Sequence, residues 1–417
     1  MELQSCIAIR SGPGLAKNIN IEFQHKNSVK MDLKLEFQGS SLGPSLDSSV
    51  WGELPEDLTL NLLAHLPLQS LVRFHTVSKK WSSMLSSPYF MSLWNDARWH
   101  QPWLLMCTPK PEIPCLMYSF ATNTWQNLSL SFLPEAKYGI NCNGSARGLL
   151  LVEVPNFSFS LNSASLYVCN PLTKSCTEIP IDTSITAVMA KGMTESENGG
   201  YSVLALGKTR ENLCVVEVYE SSKKSWRIAG SLPDEFCIKN QDMVFSGGFL
   251  FCLTVKPCGV LVFDIQHGFC SIVAMPVHGD VVKGVRPKIV ACGSKVFLVE
   301  GIEKEYTVKS IIISEIQMDG NLTSTEATMR TAAATTTSTW KETARMPEVL
   351  LMDFFKTSCS IWFECVGVGD CLCFRAHGSV GVVVYNVKKS TWTWLPKCDN
   401  RYKDHKHMFM RSLAFQP

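Results

Sequence analysis

The chain has 417 residues, with 39 Lys and Arg against 37 Asp and Glu for a formal charge of +2. Hydrophobic residues make up 46% and charged residues 18%, too apolar and too weakly charged for an intrinsically disordered chain. The near-neutral balance excludes a broad electrostatic footprint on nucleic acid or membrane, no apolar run approaches the ~18 residues of a spanning helix, and no secretory signal opens the sequence.

A soluble chain of the nucleus or cytoplasm is expected, with two or three domains at roughly 100–200 residues each. Residues 1–50 end in the loop-like run GSSLGPSLDSS. Within them Ile19, Ile21 and Phe23 alternate with polar residues, as do Met31, Leu33, Leu35 and Phe37. That period of two predicts two short paired strands. An isolated hairpin is marginal in water, so this segment is expected to be a flexible tail unless it docks elsewhere.

From residue 51 to 96 the pattern becomes helical. Pro55 stands where a first turn tolerates proline, and Glu56 and Asp57 suit the positive end of a helix. Leu54, Leu58, Leu62 and Leu66 form one stripe, widened by Leu63, with Leu60 off it. Pro67 stops this helix. A second short helix carries Leu68, Leu71 and Phe74, and a third carries Val77, Trp81 and Leu85. A unit of about 40 residues cannot cover so many leucines by itself, so a partner surface or an adjoining domain is implied. An ordinary helical cap on the next domain is the competing reading.

From about residue 100 to the end short strands and turn signals take over, and an internal repeat is present. An apolar strand ends in an anchor residue, Trp or Cys follows seven residues later, and a hydrophobic-Pro pair follows that. The copies are Tyr118 to Trp125 with Leu133-Pro134, Cys169 to Cys176 with Ile179-Pro180, Tyr219 to Trp226 with Leu232-Pro233, Phe263 to Cys270 with Met275-Pro276, and Tyr385 to Trp392 with Leu395-Pro396. A stretched copy runs from Ile316 to Trp340 and Met346-Pro347. The first four anchors lie 51, 50 and 44 residues apart. A unit of about 50 residues repeated about six times is what four-stranded propeller blades need, whereas a β-sandwich has no reason to repeat at this period. Trp125, Trp226, Trp340 and Trp392 are read as packing residues between blades rather than as a ligand cage. Ring closure predicts that the segment around Met408–Phe415 pairs with the strands near Trp103–Phe120. The run 321–339, ten of whose nineteen residues are Ser or Thr, predicts a disordered loop leaving the propeller surface.

Chemistry-bearing motifs fail one by one. Gly207-Lys208-Thr209 lacks the earlier glycine of a phosphate loop, with Ser202 in its place, and Gly367-x-Gly369 lacks the third glycine of a dinucleotide fingerprint. Neither a His-Glu-x-x-His nor a Gly-x-Ser-x-Gly run occurs. The 17 cysteines include no Cys-x-x-Cys pair, and Cys371-x-Cys373 alternates along a strand, so free thiols in a reducing compartment are expected rather than a metal site. His405 and His407 read as solvated residues of a basic stretch. No catalytic residue, cofactor or metal is expected.

Leu54-Pro55-Glu56-Asp57-Leu58, followed by Leu62, Leu63, Leu66, Pro67, Leu71, Phe74, Val77-Ser78-Lys79-Lys80-Trp81 and Leu85, resembles the F-box. Ser78 stands where many members carry Cys. The downstream phrases Cys169-Asn170-Pro171-Leu172-Thr173-Lys174, Ala344-Arg345-Met346-Pro347 and Phe363-Glu364-Cys365-Val366-Gly367 are similar to plant F-box/kelch-repeat proteins of the leaf-curling-responsiveness and F-box-only type. The resemblance implies a small all-α F-box of three helices over 51–96, then an all-β propeller of about six kelch-like blades over 100–417. It also implies a non-catalytic substrate receptor of an SCF ubiquitin ligase, joined through a Skp-type adaptor to cullin and RING subunits, with a protein target on the propeller. Leu54, Pro55, Leu58, Leu62, Leu63, Leu66, Pro67, Leu71, Val77 and Trp81 would then carry the adaptor contact. A propeller interaction module acting outside the ligase, such as a transcriptional co-regulator with a vestigial F-box, is the alternative.

Overall fold

The structure, a computed structural model, describes residues 3–11, 15–23, 36–37, 55–66, 70–71, 74, 78–96 and, within 102–415, all except 135, 137, 156–163, 172, 181, 197–199, 234–235, 277–286, 305–306, 318–338, 357, 359 and 399–410. The chain divides into two compact units, Met1–Trp99 and His100–Pro417.

In the first unit β1 (Leu3–Ser11) pairs antiparallel with β2 (Leu15–Phe23), and β3 (Glu36–Phe37) pairs with β2 at Ile19 and Asn20. The strand read at Ile19–Phe23 is therefore present and pairs with Phe37 of the second alternating run, while Leu3–Ser11, not singled out from the sequence, pairs along its length; Met31, Leu33 and Leu35 lie outside the described residues. Three helices follow: α1 (Glu56–Ala64), α2 (Lys79–Leu85) and α3 (Pro88–Asp96). Ser70, Leu71 and Phe74 are helical too. Helix α3 falls within the stretch read as helical but is a helix beyond the three named there; Pro88 occupies its first position, where a missing N–H costs nothing, and it brings Phe90 and Trp94 into full burial.

The second unit is a ring of six four-stranded antiparallel sheets. Blade 1 is β27-β4-β5-β6, with β27 (Arg411–Phe415), β4 (Trp103–Cys107), β5 (Cys115–Ser119) and β6 (Thr124–Leu128). Blades 2 to 6 are β7–β10 within 141–178, β11–β14 within 185–232, β15–β18 within 237–274, β19–β22 within 288–345 and β23–β26 within 363–394. Their innermost strands are β7 (Asn141–Ala146), β11 (Ile185–Glu195), β15 (Cys237–Ser246), β19 (Lys288–Cys292) and β23 (Phe363–Val368). With β27 these touch in cyclic order and close the ring. The expected closure is seen directly: Arg411–Phe415 pairs with Cys107–Trp103, so strands from the two ends of this unit share one sheet.

Sequence pattern explains the blades. The seven-residue spacing places each anchor opposite its Trp or Cys across one hairpin: Tyr118 faces Trp125, Cys169 faces Cys176, Tyr219 faces Trp226, Phe263 faces Cys270 and Tyr385 faces Trp392. In the stretched copy Ile316 still faces Trp340. The Ser/Thr-rich loop expected at 321–339 lies outside the described residues except for Thr339, which begins β22 (Thr339–Arg345). The turns joining innermost strands to the next strand use left-handed backbone at Arg147 and Gly148 (φ 49° and 73°) and at Gly247 and Gly248 (φ 57° and 83°), the geometry a two-residue hairpin needs. The larger core clusters each belong to two adjacent blades, as where Phe297, Ile311 and Ile313 of blade 5 meet Phe363, Phe374 and Tyr385 of blade 6.

One element departs from the all-strand expectation. After β22 the chain forms α4 (Glu348–Phe355), with Pro347 as N-cap and Glu348 in the first turn. Leu351 and Phe354 bury against β21 (Thr307–Gln317) and β24 (Cys371–Ala376). Its eight residues are too few to display a helical period inside a strand-dominated region.

Candidate functional site

The helical unit offers the first candidate surface. Helix α1 starts at Pro55, whose carbonyl accepts from Thr59 N at 3.0 Å and Thr59 Oγ1 at 3.1 Å, while Glu56 and Asp57 lie at the positive helix end. It packs on α3. The face turned to the unit's own core is Leu60, Leu63 and Ala64, at 5%, 4% and 1% exposure. Leu58 and Leu62, one turn apart, are 52% and 51% exposed. The leucine stripe read from the sequence therefore divides, and Leu60, placed off it, is core.

Leu66 and Leu71 are buried. Trp81 is half-buried and stacks on Phe74 with ring centroids 5.1 Å apart. Ser78 caps α2, its Oγ accepting from Trp81 N at 3.2 Å; a short hydroxyl serves a helix start well, which gives a physical role to the departure from Cys. Leu54, Pro67 and Val77 lie outside the described residues. Tyr89, at 52% exposure on α3, was not singled out from the sequence.

On the propeller Trp125, Trp226, Trp340 and Trp392 stand on the outer strands β6, β14 (Ser225–Leu232), β22 and β26 (Thr391–Trp394). The Trp125 indole donates to Pro396 O at 2.7 Å, Trp226 to Pro180 O at 2.8 Å and Trp340 to Ala274 O at 2.7 Å. Each acceptor lies in the preceding blade, at or beside its hydrophobic-Pro pair. The two recurring features of the repeat are thus joined to each other across the blade interface. Trp392 packs on Tyr385 at 4.7 Å and Phe374 at 5.4 Å.

Most of the described thiols are buried or half-buried, with Cys237 and Cys258 exposed. Burial pushes Cys252 and Cys292 up to about 12, and hydrogen bonding to Cys115 and Cys142, with burial, raises Cys107. Among the described residues no three His, Cys, Asp or Glu side chains come together as metal ligands.

Residues 51–93 match the F-box domain, and residues 117–404 match the KIB1-4 beta-propeller family. The chain is 26% identical to F-box only protein 6 of Arabidopsis thaliana over 405 residues, covering 93% of this chain and 79% of that protein. It is 25% identical to the F-box/kelch-repeat protein At5g43190 of the same plant, covering 85% and 84% of the two chains. Protein UNUSUAL FLORAL ORGANS, also from Arabidopsis thaliana, is 21% identical over 86% of this chain and 81% of its own length.

Proposed function

Because the chain belongs to the KIB1-4 β-propeller family and carries an F-box ahead of the propeller, we propose that it is the substrate receptor of an SCF ubiquitin ligase. The F-box docks a Skp-type adaptor, which brings cullin and a RING subunit, while the propeller holds a protein target in the nucleus or cytoplasm. The receptor itself makes and breaks no bonds. It raises the local concentration of target lysines beside a ubiquitin-charged enzyme, an effect of proximity alone.

The observation that carries this reading is the division of α1. Leu60, Leu63 and Ala64 are consumed by the unit's own core, and Leu58 and Leu62 are left half-exposed on a helix within the F-box match. Apolar side chains on a small helical unit are anchors for a partner. We assign Leu54, Pro55, Leu58, Leu62 and Pro67 to the adaptor contact. Val77 is assigned to the same contact, the buried Leu63, Leu66 and Leu71 support it from beneath, and Trp81 borders it.

Co-expression of the full chain with a Skp-type adaptor, followed by size-exclusion chromatography, tests the reading. An equimolar complex is expected, and Leu58→Ala with Leu62→Ala should dissolve it without lowering the melting temperature. Truncating each anchor costs about 2 kcal/mol, roughly thirtyfold in Kd. A monodisperse free chain that ignores the adaptor would instead support an interaction module acting outside the ligase.

A further inference from the structure

The repeat sets one pair of side chains face to face in every blade, and blade 2 fills both places with cysteine. At the same two places blades 1, 3 and 6 carry Tyr118 and Trp125, Tyr219 and Trp226, and Tyr385 and Trp392, whose ring centroids lie 5.1, 5.5 and 4.7 Å apart. Blade 4 has Phe263 and Cys270, and blade 5 has Ile316 and Trp340. The position presses its two side chains together, and only Cys169 with Cys176 puts a thiol on each.

The phase of the hairpin decides how close they come. Strands β9 (Ala164–Asn170) and β10 (Ser175–Glu178) stay in register from Asn170↔Ser175 to Tyr167↔Glu178. One step further on, Ile179 N donates to Leu166 O at 2.8 Å. Hydrogen-bonded and non-hydrogen-bonded pairs alternate along an antiparallel ladder, so counting back from Leu166 and Ile179 makes Cys169↔Cys176 a non-hydrogen-bonded pair. In such a pair the Cα atoms stand about 4.5 Å apart, at the near end of the roughly 4.4–6.8 Å that a disulfide spans. The turn pins this register, with Asn170 Oδ1 accepting from Thr173 N at 3.1 Å and Lys174 left-handed at φ 55°.

The two thiols are already in contact. Cys169 is fully buried, and its thiol is hydrogen-bonded to that of Cys176. Cys176 stands half-buried on the outermost strand of the blade, which gives its sulfur a path to solvent that Cys169 lacks. Burial raises both thiols, so the pair rests protonated at neutral pH. The bond from Cys169 partly offsets that burial at Cys176, which makes Cys176 the first nucleophile and Cys169 the second.

We propose that Cys169 and Cys176 form a dithiol–disulfide couple, a site of reversible oxidation on blade 2 whose oxidant is a small disulfide such as oxidised glutathione. The Cys176 thiolate attacks one sulfur of the oxidant and expels a thiolate, leaving a mixed disulfide. Cys169 then gives up its proton and attacks the Cys176 sulfur, expelling the second thiolate. The two protein thiols lose two electrons and two protons, the small disulfide becomes two thiols, and the new bond ties β9 to β10. The inference concerns the propeller alone and does not rest on adaptor binding.

Thiol–disulfide exchange on the folded full-length chain tests it. The chain is incubated with oxidised glutathione, quenched in acid, alkylated and cut with trypsin. Cleavage after Arg147, Lys174 and Lys191 puts Cys142, Cys169 and Cys176 on three different peptides. The Cys169 and Cys176 peptides are expected joined to each other, two hydrogen masses lighter than the free pair, and separated again by dithiothreitol. Loss of the free thiol at the exposed Cys237 or Cys258 reports that the oxidant was active. In a Cys169→Ser chain the reaction should stop with glutathione on Cys176, although mapping the unmodified chain needs no variant to fold. Cys169 and Cys176 both still free once Cys237 or Cys258 has reacted, glutathione retained on Cys176 of the unmodified chain, or Cys169 joined to Cys142 instead would each overturn the assignment.

Discussion

Asn123, Lys174, Lys224 and Ser390 hold φ values of 55°, 55°, 52° and 52°, each two residues before the Trp or Cys of its hairpin. Blade 4 has Gly268 at the same position, with φ 74°. Left-handed backbone costs an ordinary residue roughly 1–2 kcal/mol, and glycine's greater freedom in the unfolded chain returns about 0.5–1 kcal/mol of that. Lys224→Gly should therefore stabilise the propeller by about 0.5 kcal/mol, read as a higher urea midpoint at constant slope. Asn123→Gly should not, because the Asn123 side chain accepts from the Tyr118 hydroxyl and that bond would be lost. Gly268→Ala should destabilise, since its Cβ would stand 2.5 Å from Ala229 O. A second residue-scale effect is electrostatic. Burial pushes the Glu300 carboxyl up from 4.5 to about 7. Between those values the folded state binds more protons than the unfolded one, so stability falls as pH rises from about 4.5 to about 7. Glu300→Gln should remove that slope and make the protein more stable at pH 8 by on the order of 2 kcal/mol, with little change at pH 4. Melting temperatures of both proteins across this range check the sign.

At the scale of elements, the repeat was legible because it encodes two hydrogen-bonded relations at once. Seven residues is the separation of directly opposed positions across a short hairpin, and the indole at the second position reaches the preceding blade's carbonyl near its proline. Trp226→Phe keeps the ring's bulk but leaves Pro180 O without this donor. A net hydrogen bond is worth about 1 kcal/mol, so that loss is expected from chemical denaturation, with Trp226→Ala costing several times more. Where packing rather than spacing decides, the sequence said less. Leucines occur on several faces of α1, and periodicity does not tell which face meets α3; Leu60 went to the core and Leu58 and Leu62 to the surface. Helix α4 was missed because its apolar residues, Val349, Leu350, Leu351 and Met352, run consecutively and carry no clear period. A cavity of about 360 Å³ on the propeller axis was invisible for a related reason. Met193, Phe245, Lys288 and Arg411 line it from four blades and meet only when the ring closes.

Closure is the property of the whole molecule, and it rests on five residues. β27 pairs with β4 from Arg411↔Cys107 to Phe415↔Trp103, and it also neighbours the innermost strands of blades 2 and 6. Leu413 and Phe415 are buried there, the Ser145 hydroxyl donates to Ala414 O, and Arg411 donates to Asn143 Oδ1 at 3.1 Å. Without β27, β4 would present an unpaired edge and blade 1 would lack the strand that faces the axis. Unpaired edges recruit other chains, and an opened ring loses the contacts that make adjacent blades unfold together. A chain ending at residue 410 is therefore expected to melt in a broadened transition at lower temperature and to aggregate at concentrations where the full chain is monodisperse. Burying two large apolar side chains contributes roughly 1.5–3 kcal/mol each, so the loss should exceed that of any single substitution discussed above. The decisive arm is rescue. A synthetic peptide spanning residues 408–417 should restore a sharp transition to the truncated chain in a saturable manner, and the same peptide carrying Leu413→Asp should not. Restoration by both peptides, or a truncated chain that melts as sharply as the parent, would show that the ring is held by its blade interfaces and that the shared sheet adds little.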